Sequence, residues 1–253
     1  MPGAWKDALV LLDEASMVDE QLFTDLMQTG AHVVATYDHG QLPPVSGVSM
    51  FTAYNADVTL QHIRRQAADS PIIRQAHAVR SGADYETDGD AFRVVSRPDA
   101  AELMKAGWPD IVLCWRNETR HKLNRFMRTC RQIAYDTTSQ AGEPVMCLEN
   151  HASGMQNGEV FFVHHYDQER GILLRDGPAL FISEPWFEWL RSERRPHYAA
   201  WLALAYACTV HKAQGSEWPN VLVLDEFSGA DRARWLYTAI TRASSNVAIV
   251  RSK

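Results

Sequence analysis

The chain has 253 residues, 46% of them hydrophobic and 22% charged, with a net charge of −6 and a pI near 5.9. That balance is ordinary for a soluble protein and suits one large or two modest globular domains. The strong basic excess that marks many nucleic-acid binders is absent from the chain as a whole, which leaves room only for a local basic track.

Residues 8–12 are a short apolar run that ends in Asp13-Glu14, the pattern of a buried parallel strand with carboxylates at its C-terminal end. Active sites of open α/β sheets sit at that end. Residues 19–29 read as a helix, with Leu22, Phe23, Leu26 and Met27 on one face and Gly30 as its stop. Residues 31–36 are the next strand, followed by the loop Tyr37-Asp38-His39-Gly40-Gln41-Leu42-Pro43-Pro44-Val45. Residues 57–63 are strand-like. Ser70 and Pro71 open a helix as N-cap and first-turn proline, and Gly82 closes it. Residues 83–98 are polar and read as a linker.

A second strand series begins at residues 110–114. Asn117 is expected to cap a long helix reaching about Tyr135, and residues 144–148 form another strand. From Asn150 to about Pro196 the character changes. Residues 159–164 and 171–175 are short strands with Asn157-Gly158 as a turn signal, which predicts a small all-β insertion. Residues 201–208, 220–224, 233–242 and 246–250 then give strand, strand, helix, strand. Cys114, Cys130, Cys147 and Cys208 lie far apart with no C-x-x-C, as expected of reduced core residues in a cytosolic protein. The ten histidines show no metal spacing, and no apolar run is long enough to span a membrane.

Asp13-Glu14 is the first chemical pair. In a nucleotidase the strand-end aspartate holds Mg2+ through water, and the next glutamate positions or deprotonates the attacking water. The plain alternative is an acidic helix entry. Gln41 sits in Gln-Leu-Pro-Pro-Val, where two prolines remove donors and stiffen the loop. A stiff loop beside a nucleotide can carry the amide to the γ-phosphate; an ordinary proline turn is the alternative. Arg242 closes a helix, where the plain reading is a favourable cation at a helix C-terminus. Trp115 reads as a base-stacking platform or as a packing residue. Arg116, Arg120, Lys122, Arg125, Arg128 and Arg131 form a basic cluster, by default a solvated face and otherwise a set of phosphate contacts.

Several of these stretches together resemble one family. Leu11-Leu12-Asp13-Glu14-Ala15-Ser16 resembles a Walker B motif. Tyr37 to Val45 resembles G-D-x-x-Q-L-P-P-V, with tyrosine in place of the usual glycine. Leu60-Gln61-His62-Ile63-Arg64-Arg65-Gln66 resembles the arginine-bearing segment that follows. Thr209-Val210-His211-Lys212-Ala213-Gln214-Gly215-Ser216-Glu217 and Leu236-Tyr237-Thr238-Ala239-Ile240-Thr241-Arg242-Ala243 resemble the last two motifs of superfamily 1 nucleic-acid helicases of the RecD-like group. No G-x-x-x-x-G-K-[ST] occurs in the 253 residues.

The resemblance implies an α/β architecture. Residues 1–95 are the later part of a first RecA-like, AAA-type ATPase domain without its Walker A loop. Residues 96–149 and 200–253 are a second, UvrD-like RecA-like domain, and 150–199 are an SH3-like β insertion. It implies ATP-driven translocation along single-stranded DNA with 5′→3′ unwinding, using ATP and Mg2+. The roles it implies are Glu14, Gln41, Arg65 and Arg242 in catalysis, with Arg64 the register alternative to Arg65. Asp13 is the metal residue. Gln214, Gly215 and Glu217 join Asp13, Glu14, Gln41, Arg65 and Arg242 around the nucleotide. Thr209, His211, Lys212, Trp115 and Asn117 meet the strand. A Walker A-bearing N-terminal half is then the expected partner, and this chain alone is expected to be inactive. The other expectation is a non-catalytic nucleic-acid-binding remnant, or a subunit of a split helicase.

Overall fold

The computed structural model describes residues 5–44, 49–53, 56–60, 70–175, 182, 185–190 and 199–251. In the first unit β1 (Leu9–Leu12) lies parallel to β2 (His32–Ala35), and α1 (Glu20–Gln28) connects them. Asp19 caps α1 by accepting a hydrogen bond from the Leu22 amide at 2.9 Å. Gly30 leaves the helix with φ 76°.

The expectation of a buried β1 needs correction. Leu9 and Leu11 are 63% and 75% exposed, and Val34, paired with Leu11, is 53% exposed. Pairing aligns these side chains on one face, and nothing among the described residues covers it. Leu22 and Met27 of α1 are exposed as well.

The second unit is built on a five-stranded parallel sheet in the order β10-β4-β11-β12-β3. Its strands are β3 (Phe92–Val95), β4 (Ile111–Cys114), β10 (Ala207–Thr209), β11 (Trp218–Asp225) and β12 (Ala243–Arg251). Alternate residues feed two cores. Ile111, Leu113, Val221, Val223, Val247 and Ile249 pack with α2 (Pro71–Arg80) and α5 (Arg232–Ile240). Val112, Cys114, Leu222, Ala248 and Val250 pack on the other side with α3 (Arg97–Lys105) and α4 (Asn117–Cys130). Near-continuous apolar strands are what a parallel sheet covered on both faces requires.

The stretch 83–98, expected as a linker, holds β3 and runs directly into α3, which the sequence reading missed. Ser96 caps α3, its hydroxyl accepting from the Asp99 amide at 3.2 Å. Residues 57–60 are not in a strand, and 61–63 lie outside the described residues. Arg116, not Asn117, is the N-cap of α4, and the helix stops at Cys130, two residues before Gln132 turns left-handed with φ 58°.

The remaining sheet has the order β7-β6-β5-β9-β8, formed by β5 (Pro144–Cys147), β6 (Val160–Asp167), β7 (Gly171–Arg175), β8 (Pro185–Phe187) and β9 (Ala200–Leu204). β5 runs antiparallel to both β6 and β9. The expected strand 201–208 is therefore two strands, β9 and β10, which belong to different sheets and meet at Ala205–Tyr206.

Two ion pairs tie the β unit to α4. Arg128 is fully buried and bidentate to Glu143 at 2.8 and 2.6 Å. Its remaining donors reach the carbonyls of Ala134, Tyr135, Thr137 and Thr138. Arg120 is bidentate to Glu188 at 2.9 and 2.8 Å. Arg125 and Arg131 lie over the rings of Tyr135 and Tyr206. The basic cluster of α4 is thus not a wholly solvated face, because Arg120, Arg125, Arg128 and Arg131 are taken up by partners within the chain.

Candidate functional site

Asp13 and Glu14 leave the C-terminal end of β1, as expected of a strand-end acid pair. The Asp13 carboxylate accepts from the Glu14 amide at 2.9 Å and from the Thr36 hydroxyl at 2.5 Å. Glu14 has φ 52° and ψ 38°. A non-glycine residue in the left-handed region is uncommon and concentrates at functional turns. The Ala15 amide donates to the Thr36 carbonyl at 2.8 Å, so the acid pair is fastened to the end of β2.

From Thr36 the chain crosses to the second unit. Leu42 is 2% exposed and lies in the core cluster that includes Trp235, Leu236 and Ile240. Its amide donates to the Thr238 hydroxyl at 3.0 Å, and its carbonyl accepts from Gln214 Nε2 at 3.2 Å. Gln41 is brought beside this anchor, and its Oε1 and that of Gln214 are both buried without a hydrogen-bond donor. Unmatched buried acceptors are rare and call for a reason.

Gln214 follows a 3-10 turn, Val210–Ala213, which opens directly after β10. Gly215 has φ 79°, a conformation that favours glycine. Glu217 is exposed, and the next residue, Trp218, donates its amide to the Arg242 carbonyl at 2.9 Å. Arg242 lies just past α5, not within it, and is 2% exposed. Its guanidinium donates to the Thr238 carbonyl at 3.1 Å, the Ser216 carbonyl at 3.2 Å and the Thr241 hydroxyl at 3.3 Å. Gln41, Gln214, Gly215 and Arg242 therefore share one junction, linked to Asp13 and Glu14 through residues 36–42. Arg65 and its register alternative Arg64 lie outside the described residues.

A second group collects at the C-terminal ends of β4 and β10. Thr209 pairs with Cys114, and the Trp115 and His211 rings are 5.4 Å apart. Trp115 also stacks obliquely on Phe227 at 4.2 Å, so it packs against the core while flanking His211. Burial pushes the His211 imidazole below its ordinary range. Burial first, and the Arg120 guanidinium second, pull the Lys212 ammonium down. A half-desolvated cation beside a like charge gains from meeting an anion. Asn117 accepts from Arg120 Nε at 3.0 Å.

Sequence reasoning missed Glu226. Its carboxylate accepts from the amides of Trp115 and Arg116 at 2.8 and 3.0 Å and from the Thr119 hydroxyl at 2.7 Å. The anion-seeking N-terminus of α4 is thus filled by the protein itself. Nothing local in the sequence pairs residue 226 with 115. Asp38, Tyr237 and Thr238 were likewise quoted within motifs but given no role.

Comparison with known proteins bears on the family and the fold. A model of the AAA domain matches residues 2–97, and a model of the UvrD-like helicase C-terminal domain matches residues 204–250. The ATP-dependent RecD2 DNA helicase of Deinococcus radiodurans is 30% identical over 260 residues, covering 93% of this chain. The chain spans 35% of that relative's length. Among solved structures, Pif1 helicase from Candida albicans superposes with a TM-score of 0.61 at 19% identity, covering 97% of this chain and 73% of that one. Pif1 helicase from Bacteroides, in complex with ADP-AlF3 and ssDNA, gives a TM-score of 0.63 at 18% identity, covering 95% and 70%. These likenesses establish a RecA-like α/β fold. With the motifs in order along the chain and both family models matched, the chain belongs to the RecD-like group of superfamily 1 helicases.

Proposed function

We propose that this chain is the C-terminal portion of an ATP-dependent DNA helicase that moves 5′→3′ along single-stranded DNA and unwinds duplex. The observation that carries the reading is the junction. Gln41 and Arg242 are 201 positions apart in sequence, yet Thr238 receives the amide of Leu42 on its hydroxyl and the guanidinium of Arg242 on its carbonyl. A nucleotide at this junction would meet Asp13, Glu14, Gln41 and Arg65 from the first unit and Gln214, Gly215, Glu217 and Arg242 from the second. In this reading the first motor domain ends before α2 rather than at the expected residue 95, since α2 and β3 pack with the second unit's sheet, and the SH3-like insertion expected at 150–199 is flanked by β5 and β9, which pair with its strands.

Mg2+ fits the residues present. Asp13 and Glu14 offer hard oxygen donors, and no group of three or more His, Cys, Asp or Glu competes for a metal among the described residues. One or two carboxylates completed by phosphates and water is the usual arrangement for this ion. Bound there, it would neutralise charge on the phosphates. Glu14 is the residue suited to orient the attacking water, and Arg242 the one suited to the transferring phosphate. The lysine and hydroxyl of a Walker A loop are not among the 253 residues. Turnover therefore depends on a segment that supplies them, and these 253 residues alone are expected to be inactive. Single-stranded DNA would cross the ends of β4 and β10, with Lys212 and His211 facing the backbone, Thr209 and Asn117 donating to it, and Trp115 stacking on a base.

A second reading, a non-catalytic nucleic-acid-binding module or split-helicase subunit, is favoured by the carbonyls that already engage Arg242. One experiment separates them. In a protein completed with a Walker A-bearing segment, Arg242→Ala should lower kcat by roughly 10³–10⁵, the worth of an arginine finger, while single-strand binding holds. Arg242→Lys should not rescue it, because a point charge cannot copy a planar fork. The second reading, as a non-catalytic module, expects no turnover from the completed parent, and from Arg242→Ala only a stability loss of about 1–3 kcal/mol as buried carbonyls lose their donor. Fork substrates with one 5′ or one 3′ tail test the polarity.

A further inference from the structure

The loop that carries Gln41 is fastened to α5 by more contacts than a proline turn needs. The Tyr237 hydroxyl donates to Asp38 Oδ2 at 2.8 Å, and Asp38 Oδ1 accepts from the Gly40 amide at 2.8 Å. Arg80 approaches the same carboxylate at 3.5 Å and lies over the Tyr237 ring at 5.3 Å. The Gln41 amide donates to the Asp38 carbonyl at 3.1 Å, which closes the turn. One residue on, the Leu42 backbone is held at both its amide and its carbonyl, by Thr238 and Gln214.

Gly40 shows how tight the seat is. A Cβ there would stand 2.9 Å from Tyr237 Cε1 and 3.0 Å from Arg80 Nε. Burial, followed by the Asp38 carboxylate, pushes the Tyr237 hydroxyl up to about 12, which keeps it a donor at any working pH. Thr238 is the hinge between the two halves of the site, since its carbonyl also orients Arg242.

We propose that Asp38, Tyr237 and Thr238 are positioning residues that hold Gln41 in register with Arg242 across the junction, so that both meet the same phosphate. The consequence for turnover rests on the ATP-site reading above; the latch itself rests on the contacts alone. None of the three touches the reacting atoms. They act through Gln41, Leu42 and Arg242.

The test has two arms. In the 253-residue chain, amide hydrogen exchange is followed at Gly40, Gln41 and Leu42. Tyr237→Phe removes the hydroxyl, and Gly40→Ala wedges the loop away while removing no hydrogen-bonding side chain. Each should speed exchange at these amides by about tenfold, Tyr237→Phe by losing a hydrogen bond to a charged acceptor and Gly40→Ala by pushing the loop off Tyr237, with protection in β11 and β12 unchanged. Unaltered exchange at residues 40–42 in both variants would overturn the latch. In the protein completed with a Walker A-bearing segment, both variants should lower kcat by about tenfold to 10²-fold, as misplaced catalytic groups do, with KM for ATP held and the melting temperature well above the assay. Faster exchange with kcat intact would overturn the positioning role and leave a merely structural contact. A completed parent that does not turn over ATP would instead sink the ATP-site reading, while the exchange arm still decides the latch.

Discussion

The two units answer the same problem, covering a parallel sheet, with unequal means. In the second unit five strands lie between two layers, and every residue of β4 is buried. In the first, β1 has one strand neighbour among the described residues and turns Leu9 and Leu11 outward. Near-identical strand chemistry, Leu-Val-Leu-Leu against Ile-Val-Leu-Cys, therefore ends in opposite environments. Apolar composition makes burial favourable, but the number of neighbouring strands and helices decides whether it happens.

Hydrogen exchange should expose the largest difference. Opening free energies within one protein run from near zero to the global value of about 5–15 kcal/mol. The amides of β1 and β2 should exchange at least about 10³-fold faster than those of β4, β11 and β12. Equal protection would break the comparison and mean that the first unit covers its sheet in another way. Next in size is Glu143→Ala, which strands Arg128 in the core. It should cost about 3–5 kcal/mol in denaturant unfolding, and a loss below 1 kcal/mol would remove the pair from the account of the second unit.

Alkaline unfolding sharpens the contrast through groups that the second unit buries. Burial raises the Cys208 thiol from 9.0 to about 12. Burial and Asp38 raise Tyr237 from 10.0 to about 12. Tyr85 and Tyr206 move upward too, by burial and by the carboxylates of Asp225 and Glu143. In that window the folded state holds protons the unfolded state has released, so the stability present at neutral pH is lost as pH rises from 9.0 through about 12. A flat melting temperature across it would count against these burials. The smallest effect belongs to the first unit. Leu11→Thr should change stability by no more than about 0.5 kcal/mol, as surface substitutions do. A loss of 2–5 kcal/mol, about the cost of emptying a core site, would mean that Leu11 is covered.

The motifs were plain in the sequence because each is a run of adjacent residues: Asp13-Glu14, Gln41 with its prolines, Thr209 to Glu217, and Arg242. So were α1, α2 and β7, where periodicity and caps agree. The helix α3 was missed although Ser96, Pro98 and Asp99 spell a helix start, because its nine residues stand in a polar stretch. The break between β9 and β10 carries no glycine or proline at Ala205–Tyr206 and is set by which sheet each half joins. Glu226 on the α4 terminus and Tyr237 on Asp38 are contacts across more than a hundred residues, and no local pattern encodes them.

The β unit leaves and re-enters the body through adjacent strands, with Val145 of β5 opposite Leu204 of β9. Neighbouring strands stand about 4.8 Å apart, so whatever lies between them begins and ends at nearly one point. Chains whose ends meet accept grafts readily. Exchanging β6 to β8 would keep those two anchors only if the contacts that stretch makes with the body are replaced: Glu188 with Arg120, Trp189 with Thr137 and Arg128, and the apolar side chains it shares with α4. The two anchors therefore act as a socket: what is plugged in between them is free to vary only in the parts that do not face α4 and the parallel sheet.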